Sequence, residues 1–452
     1  MNKISNNHEL QPTRYVPVIG LEVHVELKTE SKMFCSCSTQ YFGKAPNSHV
    51  CPVCLGLPGA LPVPNRIAIE SCIKIALALN CKINEFSKFD RKNYFYPDLS
   101  KGYQISQYDL PFGYGGFIEL KNKKRIGITR VHMEEDTGKL SHLELRDGKA
   151  SLIDFNRSGV PLVEIVTEPD FEDALEVKEY LQKLQQIVRY LDVSNADMEK
   201  GEMRLEPNIS LRESSAKGLP KYKVEVKNIN SFKFVEKAIE YEVKRHQTIL
   251  DEGGTPAQET RGWDENKQRT FSQRIKEDAH DYRYFPEPDI PPIITLADQL
   301  STLNSSMPEL PDAKLERFQK EFDLPYYDSE ILTRDKAIAD FFEEAVTVGK
   351  DHSISPKQIS NIVINKKTDI SSTLPAELIK NILDEKKILA LDEGELESAI
   401  AQVLIQNIKA VEDYQNGKEG VIMFLLGQTI KKLGKKVDTE LVREQLKKEL
   451  KG

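Results

Sequence analysis

Nothing in this 452-residue chain reads as a membrane span. Its longest apolar runs are short, for example Val421-Ile-Met-Phe-Leu-Leu426, far below the ~20 residues that a bilayer-crossing helix needs. The first twenty residues are polar and contain no apolar stretch of the kind a secretory signal requires. A soluble, cytoplasmic protein with no membrane partner is the expectation. Neither G-x-x-x-x-G-K-[ST] nor a G-x-G-x-x-G after a strand occurs, so the two commonest nucleotide loops are missing. There is no G-x-S-x-G elbow and no Gly-Gly-Ser-Ser-Gly run, which leaves nucleophilic serine chemistry without a carrier. Internal repeats and low-complexity segments are absent too.

What is present is an ordinary folded composition, with 39% hydrophobic and 30% charged residues and a net charge of −8, enough for a few domains. The charge is uneven. From Lys418 to Gly452 nine basic residues face five acidic ones, a local +4 that leaves −12 on the remainder. An acidic body with a basic tail suggests two tasks in separate places.

Six cysteines stand at 35, 37, 51, 54, 72 and 81. Cys35, Cys37, Cys51 and Cys54 form C-x-C and C-x-x-C pairs joined by a short loop, a spacing that suits tetrahedral Zn²⁺. Structural disulfides, disfavoured where no secretory signal is read, and four unrelated core thiols, disfavoured by the paired spacing, are the competing readings. With every position filled by sulfur the metal would be structural, with no open coordination site for substrate. Cys72 and Cys81 lie in or after an apolar helical run over 67–79 and read as plain core.

The first ~290 residues alternate with period two in many places. Val18–Leu27 is the clearest strand, with Lys124–Met133, Ser151–Phe155, Pro161–Thr167, Arg204–Leu211 and Tyr222–Val226 as further candidates. Helices are predicted over 67–79, Phe171–Leu191 and Phe232–Glu252. Adjacent strands with few intervening helices argue for an α+β fold with a largely antiparallel sheet. The proline-dense Asp281–Pro292 can be neither helix nor central strand and reads as the seam closing a first domain. Beyond it the pattern turns helical over Ala313–Phe322, Arg334–Val348, Leu374–Ile388, Glu393–Gln406, Gly420–Leu433 and Thr439–Leu450, the last with Asp438 as N-cap. The expected domains are therefore 1–292, 293–390 and 391–452, with a hinge near 390 or within Asn407–Glu419.

The chemistry is expected on the sheet. Glu22, His24 and Glu26 share one face of the first strand. His132-Met-Glu-Glu-Asp-Thr-Gly138 closes another strand, and Glu164 sits between Val163 and Ile165. One imidazole with several carboxylates suits a hard cation such as Mg²⁺. Alternatively each acid pairs with a basic neighbour such as Arg130 or Arg157, and pattern alone leaves the two readings level for Glu22 and His24. Lys88–Asp98 followed by Lys101–Gln107 interleaves basic and aromatic residues, which can stack bases and hold phosphates or serve only as core.

Several of these segments closely resemble the B-subunit family of aspartyl/glutamyl-tRNA(Asn/Gln) amidotransferases: Val18–Leu27, Lys88–Asp98, Arg130-Val-His-Met-Glu-Glu-Asp136, Val224–Phe232, Gln258-Glu-Thr-Arg261, Asp281–Asp289, Val411–Lys418 and Phe424–Gln428. The likeness runs over nearly the whole chain, and the four-cysteine motif is similar to that of many members. The resemblance implies a catalytic cradle domain with a zinc-binding segment at 35–54, then a helical domain and a helical tail that grips the body of tRNA. It implies an ATP-dependent ligase of the carbon–nitrogen class. ATP would phosphorylate the side-chain carboxylate of Glu-tRNA(Gln) or Asp-tRNA(Asn), and ammonia would then displace the phosphate. Ammonia would come from an amidase-type A subunit, with a small C subunit completing a heterotrimer. Carried onto this sequence, the Mg²⁺ ligands map to His24, Glu135 and Glu164, with Glu22 nearby and Glu134 as a substitute for Glu135. Arg91, Lys92, Tyr94, Lys227 and Asn228 map to nucleotide or acceptor-end contacts. Between Leu378 and Gly394 the chain reads as shorter than the family. A non-catalytic tRNA-binding scaffold and a zinc-centred interaction module are the competing functions.

Overall fold

The structure is a computed structural model that describes residues 14–145, 148–275, 282–365, 368–389, 393–434, 437 and 439–451. Asp281, the hinge position at 390 and the N-cap candidate Asp438 lie outside the described residues. Contacts divide the chain into two compact units, one ending at Lys314 and the other beginning at Leu315.

In chain order the first unit contains β1 (Tyr15–Glu26), α1 (Arg66–Ala78), β2 (Lys82–Ile83), β3 (Phe86–Ser87), β4 (Asp90–Asn93), β5 (Tyr103–Ser106) and β6 (Gly113–Glu119). Then follow β7 (Arg125–Glu135), β8 (Lys139–Leu145), β9 (Gly148–Asp154), β10 (Pro161–Thr167), α2 (Ala174–Tyr190), β11 (Met203–Glu213) and β12 (Val224–Lys227). The unit closes with α3 (Phe232–Asp251), β13 (Glu259–Asp264), β14 (Arg269–Ile275), β15 (Phe285–Pro286), β16 (Ile293–Ile294) and α4 (Ala297–Ser305).

Nine strands form one sheet in the order β14-β13-β12-β11-β1-β10-β7-β6-β2. Its pairings are antiparallel except β12 with β13. The large, antiparallel-dominated sheet of an α+β protein is therefore present. Alternation assigns its two faces. Val23, Val25, Val163, Ile165, Val131, Met133 and Leu205 are buried on one side, where α1, α2 and α3 contribute to the same core. The helix starts are chemically marked. Asp173 accepts from the amides of Leu175 and Glu176 at 2.7 and 2.8 Å, and Asn65 and Ser231 cap α1 and α3 in the same way, each cap contributing ~1 kcal/mol.

The proline-dense segment does not make a central strand: its Phe285–Pro286 pairs at the edge of a small β15-β4-β5 sheet. The first compact unit runs past 292 because Ile293, Leu300, Leu303, Met307 and Leu310 pack against its core.

The second unit is helical: α5 (Pro311–Glu321) bridges the boundary in sequence, followed by α6 (Tyr326–Leu332), α7 (Lys336–Lys350), α8 (Pro356–Asn365), α9 (Pro375–Leu389) and α10 (Glu393–Gln406). After α11 (Ile408–Gln415) and a 3-10 turn come α12 (Ile422–Leu433) and α13 (Thr439–Lys451). One apolar cluster gathers around Phe318, Phe342 and Ile379, another around Ile400, Leu425 and Leu446. Gly434 ends α12 at φ +63, a left-handed cap that other residues adopt at a cost.

Two glycines of β6 let the α1–β2 corner approach the sheet. A Cβ at Gly113 would lie 2.5 Å from Cβ of Ala76 and 3.3 Å from Cβ of Cys81. Gly113→Ala is expected to destabilise the first unit by ~1–3 kcal/mol through overpacking, read as a lowered thermal midpoint. An unchanged midpoint would show that the corner gives way freely.

Candidate metal and phosphoryl-transfer site

The face of the sheet opposite the helices carries its polar residues, and register aligns them. His24 on β1 stands opposite Glu164 on β10, which stands opposite His132 on β7. On the other side His24 faces Arg204 of β11, and Glu22 faces Glu206. Nε2 of His24 lies 3.4 Å from Glu134 Oε1 and 3.5 Å from Glu164 Oε2. Nε2 of His132 lies 3.2 Å from the same Glu164 oxygen. His132, Glu134 and Glu164 are buried, so these charges are poorly screened by water.

Electrostatics follow from that burial. Desolvation works to raise the Glu164 carboxyl, but the imidazoles of His132 and His24 hold it well below the usual carboxylate range. Burial works to lower His24, yet its hydrogen bond to Glu164 and the charges of Glu164 and Glu134 lift it to about 9. Burial followed by repulsion from Glu164 raises Glu22, whose carboxylate accepts from Asn208 Nδ2 at 3.0 Å. Glu134 Oε2 is buried with no hydrogen-bond partner, and Lys92 Nζ lies 4.0 Å from it.

The ligand atoms of His24, Glu134 and Glu164 lie within 4.8 Å of one another. Two carboxylates, one imidazole and an orphaned buried oxygen fit a hard divalent cation. The basic neighbours do not displace that reading. Arg157 pairs with Asp136 at 3.4 Å, which also pairs with Arg204. Among the described residues Arg130 makes no ion pair with either ligand carboxylate.

Glu135 does not join this group, a correction to the expected ligand set. Consecutive strand residues point to opposite faces, so Glu135 goes to the far side. There its Oε1 accepts from the Ile105 amide at 2.9 Å and meets Lys101 Nζ at 2.7 Å. Glu134 lies beside His24 and Glu164 instead, and His132, whose two-residue spacing from Glu134 puts it on the same face, contacts Glu164 although it was not among the expected site residues. Arg204, Glu206 and Asn208 form a further missed row on β11, signalled by the same alternation.

The weaker candidates divide. Lys92 reaches the site, and its Nζ also lies 5.2 Å from the centroid of the Tyr282 ring, against which Tyr94 packs edge-on. Arg91 points away and forms a bidentate pair with Glu287 at 2.6 and 2.8 Å. Lys227 Nζ bridges Glu206 and Glu225 at 2.9 and 3.5 Å. Asn228 is exposed, with a left-handed φ of +61, and is not brought to the ligand group.

Two cavities open at the ends of this face. One of 350 Å³ beside Glu22 is lined by Val166, Pro169, Asn208, Ser210, Leu219 and Tyr222, among others. Another of 460 Å³ beside Glu26 includes Lys28, Lys44, Lys200, Tyr41 and Phe42.

All six cysteines are free. The sulfurs of Cys35, Cys37, Cys51 and Cys54 lie within 4.8 Å of one another, and the Cys51 amide donates to Cys54 Sγ at 3.1 Å. A four-sulfur donor set this close fits a tetrahedral soft-metal site. Cys72 and Cys81 are buried in the main core.

These features define a class: an α+β protein with a carboxylate–imidazole cluster on its sheet and a separate four-cysteine cluster. Comparison with known proteins makes the assignment specific. Residues 17–301 match the GatB/GatE catalytic domain and residues 336–450 the GatB domain. The chain is 46% identical to the B subunit of the aspartyl/glutamyl-tRNA(Asn/Gln) amidotransferase of Carboxydothermus hydrogenoformans, covering 96% of this chain and 99% of that protein. The same-named proteins of Persephonella marina and a Thermotoga species are 46% and 44% identical, each over 97% of this chain and 100% of theirs. The chain belongs to the GatB family, the B subunits of tRNA-dependent amidotransferases. The alignment to the Carboxydothermus protein runs over 477 positions, more than the 452 residues here, so that relative carries residues this chain lacks.

Glu26 supplies a pH test of this face. Burial, then the charge of Asp136, pushes its carboxyl up to about 7 from an ordinary 4.5, while Tyr41 Oη donates to it at 3.0 Å. A raised folded-state value means that the stability is present below 4.5 and is lost as pH rises through 7. Glu26→Gln, which copies the protonated form, is expected to raise the thermal midpoint at pH 8 by about 3 °C, the scale of ~1 kcal/mol, with no gain at pH 4. A gain of equal size at both pH values would contradict this.

Proposed function

We propose that this chain activates the side-chain carboxylate of Glu-tRNA(Gln) or Asp-tRNA(Asn) with ATP and presents it for amidation. The observation that carries the reading is the grouping of His24, Glu134 and Glu164, with one Glu134 oxygen buried and without a hydrogen-bond partner, on the sheet face opposite the helices. A free carboxylate resists ammonia because its oxygen is a poor leaving group. Phosphorylation cures this: a carboxylate oxygen bonds to the γ-phosphorus as the bond to the β-phosphate oxygen breaks, releasing ADP. Ammonia nitrogen then adds to the acyl carbon, phosphate leaves, and the surplus proton goes to solvent or phosphate. Positioning and charge neutralisation carry most of such catalysis.

Mg²⁺ bound by His24, Glu134 and Glu164 would neutralise charge on the transferred phosphoryl group. His132 holds Glu164 in place through its 3.2 Å contact. Lys92, beside Glu134, adds a cation on the same face. The cavity beside Glu22 suits the nucleoside of ATP, with apolar walls and the amide and hydroxyl of Asn208 and Ser210. The cavity beside Glu26 offers lysines and aromatics to an acceptor end. The two cavities flank the acid group, so nucleotide and aminoacyl group would meet there. The four cysteines would hold structural Zn²⁺.

In this reading ammonia comes from an amidase-type A subunit, a small C subunit completes the heterotrimer, and the complex works in the cytoplasm. A helical tail from 391 onwards, basic over 418–452, would grip the tRNA body through salt-sensitive phosphate contacts.

The test is ADP release from ATP in the complex reconstituted with both partner subunits and Glu-tRNA(Gln). Glu134→Gln is expected to cut Mg²⁺-dependent ADP release by about a hundredfold or more, with glutamine hydrolysis retained. Glu135→Gln, on the opposite face, is expected to keep ADP release. Reversal of the two results would move the ligand assignment, and no ADP from the native complex would leave a tRNA-binding scaffold.

A further inference from the structure

Lys32 is only 1% exposed, and a buried ammonium is costly unless hydrogen bonds and an opposite charge compensate it. Its Nζ donates to the carbonyls of His49 and Phe155 at 2.8 and 3.4 Å. The third partner is Cys54 Sγ at 3.6 Å. Among the described residues no carboxylate forms an ion pair with Lys32, so the anion within reach is a sulfur of the four-cysteine cluster. Four thiolates around one divalent cation carry a net charge of −2, which in a half-buried setting calls for a countercharge.

The surroundings tie this cluster to the main sheet. The carbonyl of Cys54 accepts from Ser100 Oγ at 2.8 Å and Ser158 Oγ at 3.4 Å. The amide of Met33, next to Lys32, donates to the Gly159 carbonyl at 2.7 Å. The His49 amide donates to Asn156 Oδ1 at 2.7 Å. Gly159 adopts φ +86, and a Cβ there would lie 3.5 Å from both Cys54 Cβ and Lys32 Cδ. Lys32 therefore sits where the cysteine loops meet residues 155–160, the turn that runs directly into β10 and Glu164.

We propose that Lys32 is the countercharge of the four-cysteine metal centre and the tie through which its metal occupancy orders the turn leading into β10. The inference rests on the zinc reading above and deepens it. Lys32 is a positioning residue, remote from the reacting atoms, and its effect on the site passes through Phe155 and Gly159.

The experiment uses the full-length chain and zinc alone. Elemental analysis of native protein is expected to give about one zinc per chain; none would overturn the zinc reading and this inference together. Zinc transfer to excess chelator, followed with a chromogenic indicator, then separates the two. Lys32→Gln is expected to release zinc about tenfold faster or more, Lys32→Arg within about threefold of native, and Ser100→Ala, which removes a neutral tie, within about twofold. Should Lys32→Gln not fold, native protein decides: stripping zinc is expected to speed amide hydrogen exchange at 155–160 while α2 stays protected. Native-rate release from Lys32→Gln, or unchanged exchange at 155–160 on stripping, would overturn the role of Lys32 with the zinc site left standing.

Discussion

The structure turns on carboxylates forced together on one face of a sheet whose other face is apolar core. Glu164 cannot turn away, because its neighbours Val163 and Ile165 are fixed inward by the same alternation that points it outward. Glu134 is held likewise between Met133 and its own strand partners. Water reaches neither well, so positive charge must come from elsewhere. In the protein itself His24 and Lys92 supply it, and His24 keeps its proton to about 9 for that reason. A hard cation bound by His24 would compete for that proton.

The arrangement divides labour between the two faces of β7. Its even-numbered end residues, His132 and Glu134, look toward the acid group, while Glu135 looks toward Lys101 and the cysteine loops. The two metal-type clusters thus lie against opposite sides of one strand and meet through the turn before β10. An oxygen-rich donor set and a sulfur-rich one differ in the metals they would prefer, so the two clusters would not compete for one ion.

Legibility from sequence followed the length and regularity of each element. β10 was readable to the residue, and β1, β7 and β11 to within a few, because long strands repeat their alternation several times. α10 likewise emerged with its bounds intact. β2, β3, β15 and β16, of two residues each, have no period to detect and exist only because partners pair with them. The short α6 and α11 gave too few turns for a stripe, and α8 begins at Pro356, a residue more readily read as a break. The acid group was half visible: His24 and Glu164 stood out as ionisable residues among β-branched ones. Choosing between Glu134 and Glu135 required register, since adjacent acids at a strand end differ only in the face they take. His132 and the β11 row became members only once neighbouring strands were aligned.

The central claim is that one imidazole and two carboxylates on this face bind a divalent cation, and Mn²⁺ titration of the full-length chain followed by electron paramagnetic resonance tests it most directly. The account predicts a tightly bound ion with a nitrogen hyperfine coupling from one imidazole. That coupling should disappear in His24→Ala and persist in Glu135→Gln. A native protein that leaves all Mn²⁺ free in solution, or a nitrogen coupling that survives His24→Ala, would contradict it.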